Sequence, residues 1–310
     1  MRVIRDLTDL PDNLRGGAVT VGNFDGVHRG HARIVDRLIQ IARDQGGPTI
    51  AFTFDPHPAT LLRPDRVPPP LTTTDRKADL LGHLGIEAVV AFPTDSAFLQ
   101  LTARQFFDQI LVDALGATAV VEGPNFFFGH DREGTVSLLE AFCRDAGIHF
   151  EVVAPFEAEE QTVSSSRVRR CIAEGRVEEA AEMLTQPYRV AGLVIHGAGR
   201  GATLGFPTAN VDMVPTLLPN EGIYAGRAYV EGQPLPAAIS LGPNPTFDEG
   251  GLKLEVFLLD FEGDLYGQLI EVEFLARLRD VARYDSVDAL LDQMKQDVAK
   301  TRQIIARASH

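Results

Sequence analysis

"VGNFDGVHRGH" (21–31) sets two histidines three residues apart in a run that also holds three glycines and one aspartate. It follows the short apolar run "AVTVGNF" and leads into "HARIVDRLIQIARDQGG". There Ile34, Leu38 and Ile41 recur on one helical face before Gly46 and Gly47 stop the pattern. The stretch therefore reads as a strand, a tight turn and a helix start. Three chemistries compete for the imidazoles: a metal site, an acid–base pair, or a cradle for phosphates. Zinc asks for three or four nitrogen or sulfur ligands. His28 and His31 have no cysteine nearby, and His57 is the only further histidine in the neighbourhood. Gly30 between them lets a bulky anion approach the backbone. The start of a helix adds free N–H groups and the positive end of its dipole. The residues themselves favour phosphate.

The surrounding chain gives this turn its setting. Residues 17–155 alternate strand-like runs ("AVTVGNF", "TIAFTF", "AVVAFP", "AVVEG", "FEVVAP") with helical ones. The later helices are "ARQFFDQILVDALG", with Phe106, Ile110 and Leu115 on its face, and "TVSLLEAFCRDAG". Such alternation predicts an α/β, Rossmann-like parallel sheet wrapped by helices, with ligands at the carboxyl ends of the strands. "RPDRVPPPLTTTDR" (63–76) reads as a loop over that mouth. "SRVRRCIAEG" and "VEEAAEMLTQ" read as two short helices ended by Pro187. From 189 to 278 the pattern becomes strands and turns closely punctuated by Gly and Pro, which suits a small closed β-barrel. A terminal helix, "SVDALLDQMKQDVAKTRQIIA", starts at a Ser N-cap. The expected modules are 1–186 and 187–310.

Composition narrows the partners. A chain of 310 residues with 45% hydrophobic content has room for two cores. A net charge of −14 disfavours nucleic acid and anionic lipid. Cys143 and Cys171 do not make a disulfide framework and read as buried thiols. No run reaches membrane-spanning length, and the N-terminus has no long apolar segment. The expectation is a soluble, cytoplasmic protein acting on small molecules, without nucleic acid or membrane partners, as a monomer or weak homo-oligomer.

"GNFDGVHRGH" resembles the H-x-G-H signature of the nucleotidyltransferase superfamily. Its form here, G-x-F-D-G-V-H-x-G-H, is similar to the adenylyltransferase module of bacterial bifunctional riboflavin kinase / FAD synthetases. "TFDPHP" (53–58), "EGPNFFFGHDREG" (122–134) and "VSSSRVRR" (163–170) resemble further motifs of that module. "GAGRGATLGFPTANV" (197–211), "GIYAG" (222–226), "GPNPTF" (242–247) and "LEVFLLDFEGDLYG" (254–267) resemble the riboflavin kinase module. The matches run in order through nearly the whole chain.

The resemblance implies two reactions. In the first module AMP passes from ATP to the phosphate of FMN, giving FAD and pyrophosphate. It implies that His28 and His31 donate hydrogen bonds to the triphosphate while Asn23 and Gly30 shape the turn. Ser164, Ser165 and Arg167 arrive at a second helix start and bind the same phosphates, although serines in such a place are also ordinary N-caps. Asn125 and Phe126–Phe128 look like flavin-pocket residues, with at least one of the phenylalanines expected in the core. In the second module riboflavin and ATP give FMN. "GAGRGA", with Gly197, Gly199 and Ala202, mimics a dinucleotide fingerprint, but Pro207 follows where a helix would have to open. The resemblance makes Gly199 and Gly201 part of a flap over ADP, Thr208 and Asn210 ligands of Mg2+ and ATP, and Glu255 the base. Thr208 and Asn210 also suit turn residues, and Glu255 also suits an outward strand residue paired with Lys253. The chain departs from the family at Phe257, Asp280, Ala282, Tyr284, Ser166 and His130–Asp131, whereas Arg279 still fits.

Overall fold

The computed structural model describes residues 2–308, apart from 159–160, 198, 200, 202–203 and 245–248. Ala202 and residues 245–247 of "GPNPTF" therefore lie outside the described residues. By internal contacts the chain divides into two compact units, Met1–Pro68 with Thr72–Ser164, and Pro69–Leu71 with Ser165–His310.

The first unit is a six-stranded parallel sheet. Its strands are β1 (Arg2–Ile4), β2 (Ala18–Val21), β3 (Thr49–Asp55), β4 (Ala88–Pro93), β5 (Ala119–Glu122) and β6 (His149–Val152). They lie in the order β1-β4-β3-β2-β5-β6. Alternate residues face opposite ways, and both faces are covered. Val19, Ile50, Phe52, Val90 and Val120 enter one core, whereas Ala18, Ala51, Val89, Ala119 and Val121 enter the other. That is why these strands read as unbroken apolar runs. The order reverses between β2 and β5, so the crevice for a ligand opens at their carboxyl ends, where "GNFDGVHRGH" begins.

Two helices differ from expectation. The run from Phe106 starts as an α-helix at Ala103–Phe106 and continues as a π-helix over Phe107–Ala114. Its i→i+5 bonding explains why Phe106, Ile110 and Leu115, spaced by four and then five, are all buried. The loop expected over 63–76 ends early, because a helix runs from Thr74 to His83. Thr73 caps it by accepting from the Arg76 amide at 3.2 Å, and Ala78 and Leu81 face inward.

The second unit is a closed antiparallel barrel of β7 (Arg189–Ile195), β8 (Ala209–Asp212), β9 (Gly222–Val230), β10 (Gln233–Asn244), β11 (Glu249–Leu258) and β12 (Leu269–Arg279). Its order is β7-β8-β11-β10-β9-β12. Strand β8 takes in Asn210 of "PTAN", where a turn residue was the alternative, and Thr208 lies just before it. Helices Ser165–Ala173 and Val177–Met183 belong to this unit. Val177, Ala180 and Met183 are buried, and Glu178 accepts from the Arg277 amide at 3.0 Å. The division between compact units thus precedes the expected module boundary by the length of these two helices.

The terminal helix, Val287–Ala308, is capped by Ser286, whose Oγ accepts from the Ala289 amide at 3.2 Å. It is held by a buried Asp297 that takes three hydrogen bonds from Arg279, at 3.3, 3.1 and 2.8 Å. Arg279, which fits the family pattern for flavin contact, therefore has its guanidinium committed to the helix. Both cysteines are buried, and burial pushes the Cys143 thiol up to about 12.

Candidate functional sites

His28 is the N-cap of the helix Arg29–Gln45. Its Nδ1 accepts from the His31 amide at 3.3 Å, and Nδ1 of His31 accepts from the His28 amide at 3.3 Å. This is a capping box built from two imidazoles. The rings stack, with centroids 3.6 Å apart and planes 16° from parallel. Two consequences follow. Each Nδ1 lone pair is used, so each ring carries its proton on Nε2 and offers a donor. Both rings also stay neutral. Burial drives His28 down to about 4. Burial, with the nearby His28 and Lys77, holds His31 well below the ordinary imidazole range. A pair of Nε2–H donors at a helix start suits anionic oxygens and does not suit a metal ion. Among the described residues no group of three or more His, Cys, Asp or Glu could hold a metal ion.

The turn before the helix is held in an unusual backbone. Phe24 and Val27 have positive φ, 46° and 41°, beside Gly26 at 81°. Each such residue costs about 1–3 kcal/mol. Burial offsets the cost, since Phe24 is 2% exposed and Val27 fully enclosed. The Phe24 ring meets the edge of His31 at 5.2 Å. Asp25 accepts from both the amide and the hydroxyl of Thr72 at 3.1 Å, and the Gly26 amide donates to the same hydroxyl at 3.2 Å. Gly30 has a role beyond the expected one: a Cβ there would sit 3.0 Å from Cε1 and Nδ1 of the His28 ring.

His28, Gly30, His31, Asn125 and Phe126 line one open cleft of about 240 Å³. The three phenylalanines divide their work: Phe128 is core, Phe126 faces the cleft, and Phe127 is exposed. Asn23 contributes its carbonyl, which accepts from the Thr53 hydroxyl at 3.3 Å. Ser164 ends the first compact unit, whereas Ser165 and Arg167 belong to the second. Sequence reasoning missed two buried groups. Lys77, 7% exposed, donates to Thr53 Oγ1 at 3.3 Å. Burial lowers its pKa, and Asp25 and Asp55 oppose that shift. Its only sequence signal is its place one turn into a capped helix. Glu122, 2% exposed, accepts from the Val21 amide at 2.6 Å. It heads the quoted "EGPNFFFG", but a carboxyl at the end of an apolar strand reads as the strand's polar terminus.

The barrel carries the second cluster. Asn210 on β8 stands directly opposite Glu255 on β11, and Ser240 on β10 stands opposite Glu255 on its other side. The register aligns three half-buried polar side chains across adjacent strands. Ser240 was not anticipated, because the pairing of β10 with β11 cannot be read from either strand alone. Gly197 of the glycine-rich segment lies against Asn210 of this row. A Cβ at Gly197 would fall 2.1 Å from Nδ2 of Asn210, and one at Gly201 would fall 2.3 Å from the Phe206 carbonyl and 3.2 Å from Thr208 Oγ1. Gly199 meets nothing within 4 Å and is required instead by its φ of 71°. Phe257 packs edge-on against Phe206 at 5.3 Å. Two acids that follow Glu255 in sequence are engaged: Asp260 is bound twice by Arg302 at 2.7 Å, and Asp264 accepts from the Tyr266 amide at 2.9 Å.

Known families match both parts of the chain. The FAD synthetase family model matches residues 10–167, and the riboflavin kinase family model matches residues 184–305. A bifunctional riboflavin kinase/FMN adenylyltransferase of Pseudomonas fluorescens is 36% identical, with 100% of both chains covered. One of Bacillus subtilis is 33% identical over 90% of this chain and 89% of its own. A crystal structure of a Streptococcus pneumoniae chain described as a macrolide-efflux protein superposes with a TM-score of 0.86 at 33% identity, covering 97% of this chain and 98% of that one. Among the described residues no helix is long and apolar enough to cross a membrane. The chain belongs to the family of bifunctional riboflavin kinase/FMN adenylyltransferases.

Proposed function

We propose that this chain makes FMN and then FAD. Residues 187–310 phosphorylate riboflavin, and residues 1–186 transfer AMP from a second ATP to FMN. The observation that carries the reading is that the imidazole pair lines one cleft with Asn125, and that Asn210, Glu255 and Ser240 form one row across adjacent strands with Gly197 against Asn210. Relatives similar over at least nine-tenths of this chain, and named for both reactions, support it.

In adenylyl transfer a phosphate oxygen of FMN attacks the α-phosphorus of ATP and pyrophosphate leaves. The attacking oxygen is already anionic, so no base is needed. Alignment and neutralisation of the leaving charge are needed. His28 and His31 donate from Nε2 to the ATP phosphates. Ser164, the last residue of the same unit, adds a hydroxyl. Asn23 and Gly30 keep the turn and ring in place, and Asn125 contacts the flavin. In the kinase step a neutral ribityl hydroxyl attacks the γ-phosphorus and ADP leaves. Glu255 accepts the hydroxyl proton. Gly199 and Gly201 cover the nucleotide.

Thr208 and Asn210 fit Mg2+, since both offer hard oxygen donors and the ion is usually held by few protein ligands together with substrate phosphates. Bound there, it supplies charge neutralisation to the transferred phosphoryl group. The net charge of −14 supports small-molecule rather than nucleic-acid partners, and the same reading takes the protein as cytoplasmic and a monomer or weak homo-oligomer. Incubating purified protein with riboflavin, ATP and Mg2+, then separating the flavins, tests the proposal. FMN followed by FAD is expected, and unchanged riboflavin refutes it.

A further inference from the structure

Glu122 ends β5 where the sheet order turns back on itself. The ladder between β2 and β5 pairs Ala18 with Ala119 and Val19 with Val120, and goes no further. Beyond it the strands part to form the crevice. The Val21 amide at that point donates to Oε1 of Glu122 at 2.6 Å. A side chain thus replaces a ladder bond at the root of two loops, the one leading to His28 and the one carrying Asn125. Glu122 lines the same cleft as these residues.

We propose that Glu122 is a positioning residue for adenylyl transfer, its carboxyl group bridging the ends of β2 and β5 and so fixing the imidazole turn relative to the Asn125 loop. This rests on the adenylyltransferase reading of the cleft. Burial raises the Glu122 carboxyl well above the ordinary carboxylate range, against the opposing effect of the Val21 amide. Its ionisable surroundings are few. Cys143, on the helix Val136–Ala146, has its own pKa raised by burial first and by Glu122 second. His28 and His31, across the cleft, are neutral. On β6 the register partner of Glu122 is Val152, and the neighbouring Glu151 is tied to Arg37 at 2.6 Å. The Val21 amide can donate to the neutral acid and, more strongly, to the carboxylate, so the bridge stands in either protonation state.

The test compares the full chain with Glu122→Gln and Glu122→Leu. FAD formation from FMN and ATP is followed near neutral pH, and thermal melting of the same samples controls for folding. Leucine fills the space but cannot accept from Val21. Its kcat should fall roughly tenfold to 10²-fold, the cost of misplacing reacting groups by about an ångström. Glutamine accepts from Val21, so it should recover most of that loss. A leucine variant within about threefold of wild type, or a glutamine variant as slow as the leucine one, overturns the proposal. Should wild type make no FAD, the functional reading fails. Hydrogen exchange of the Val21 amide then still decides the bridge. Slow exchange in wild type and the glutamine variant with fast exchange in the leucine variant supports it, and equal protection in all three overturns it.

Discussion

Gly30→Ala separates stability from activity at the imidazole pair. The added Cβ would stand 3.0 Å from Cε1 and Nδ1 of His28. Carbon contacts settle at about 3.5–4.0 Å, so the ring must give by roughly half an ångström. It has little room to do so, because His31 stacks on it with centroids 3.6 Å apart. The ring therefore tilts, and the 3.3 Å cap bond from the His31 amide lengthens or breaks. Losing a cap costs about 1 kcal/mol. Replacing glycine by alanine within a helix returns about the same amount, so the net stability change is close to zero. Activity has no such compensation: a donor displaced from the phosphates lowers the rate by roughly tenfold to 10²-fold. The assay is FAD formation from FMN and ATP, with thermal melting and riboflavin phosphorylation measured on the same protein. A variant that melts like wild type, phosphorylates riboflavin normally and makes FAD tenfold or more slowly meets the expectation. FAD formation within about threefold of wild type refutes the idea that Gly30 is there to seat the His28 ring.

Other outcomes follow from the same geometry. Stability should depend on pH through the imidazoles. Folded His28 titrates at about 4 rather than the ordinary 6.5, so stability is full above 6.5 and declines as pH falls toward 4, by about 3 kcal/mol at this one ring. Glu122, raised by burial, acts in the opposite sense, so denaturant unfolding of wild type should be compared with His28→Gln, and equal pH slopes contradict the assignment. Asp297→Ala strands the Arg279 guanidinium and should cost about 3 kcal/mol in the barrel unit, read as a lowered melting temperature. A fragment of residues 187–310 should still phosphorylate riboflavin. It should be less stable than 165–310 by several kcal/mol, since each large buried side chain it loses, such as Val177 or Met183, is worth about 1.5–3 kcal/mol.

Much of this was legible in the residues. The parallel sheet announced itself through runs such as Thr49–Asp55, which are apolar on both faces because both faces are covered. The barrel followed from the loss of helical spacing after Pro187. What escaped depends on partners distant in sequence. Glu122 matters because Val21 lies beside it, and Ser240 because Glu255 does. Strand β8 was hidden because four residues next to a proline carry too little pattern to separate from a turn. The period of the π-helix was visible in the spacing of Phe106, Ile110 and Leu115, but the same residues also suit an ordinary α-helix. Gly30 was read as an opening for phosphate, while the nearest obstacle to a side chain there is an imidazole.

The central claim is that two clusters carry two reactions independently, and one paired assay tests it. His31→Ala and Glu255→Gln are each given riboflavin, ATP and Mg2+, and separately FMN, ATP and Mg2+. The account predicts that His31→Ala stops at FMN, with FAD formation down by about 10²-fold or more. It predicts that Glu255→Gln leaves riboflavin unphosphorylated, slowed by roughly 10²–10⁴-fold, yet converts supplied FMN to FAD at the wild-type rate. FAD made normally by His31→Ala, or FMN made normally by Glu255→Gln, would contradict it.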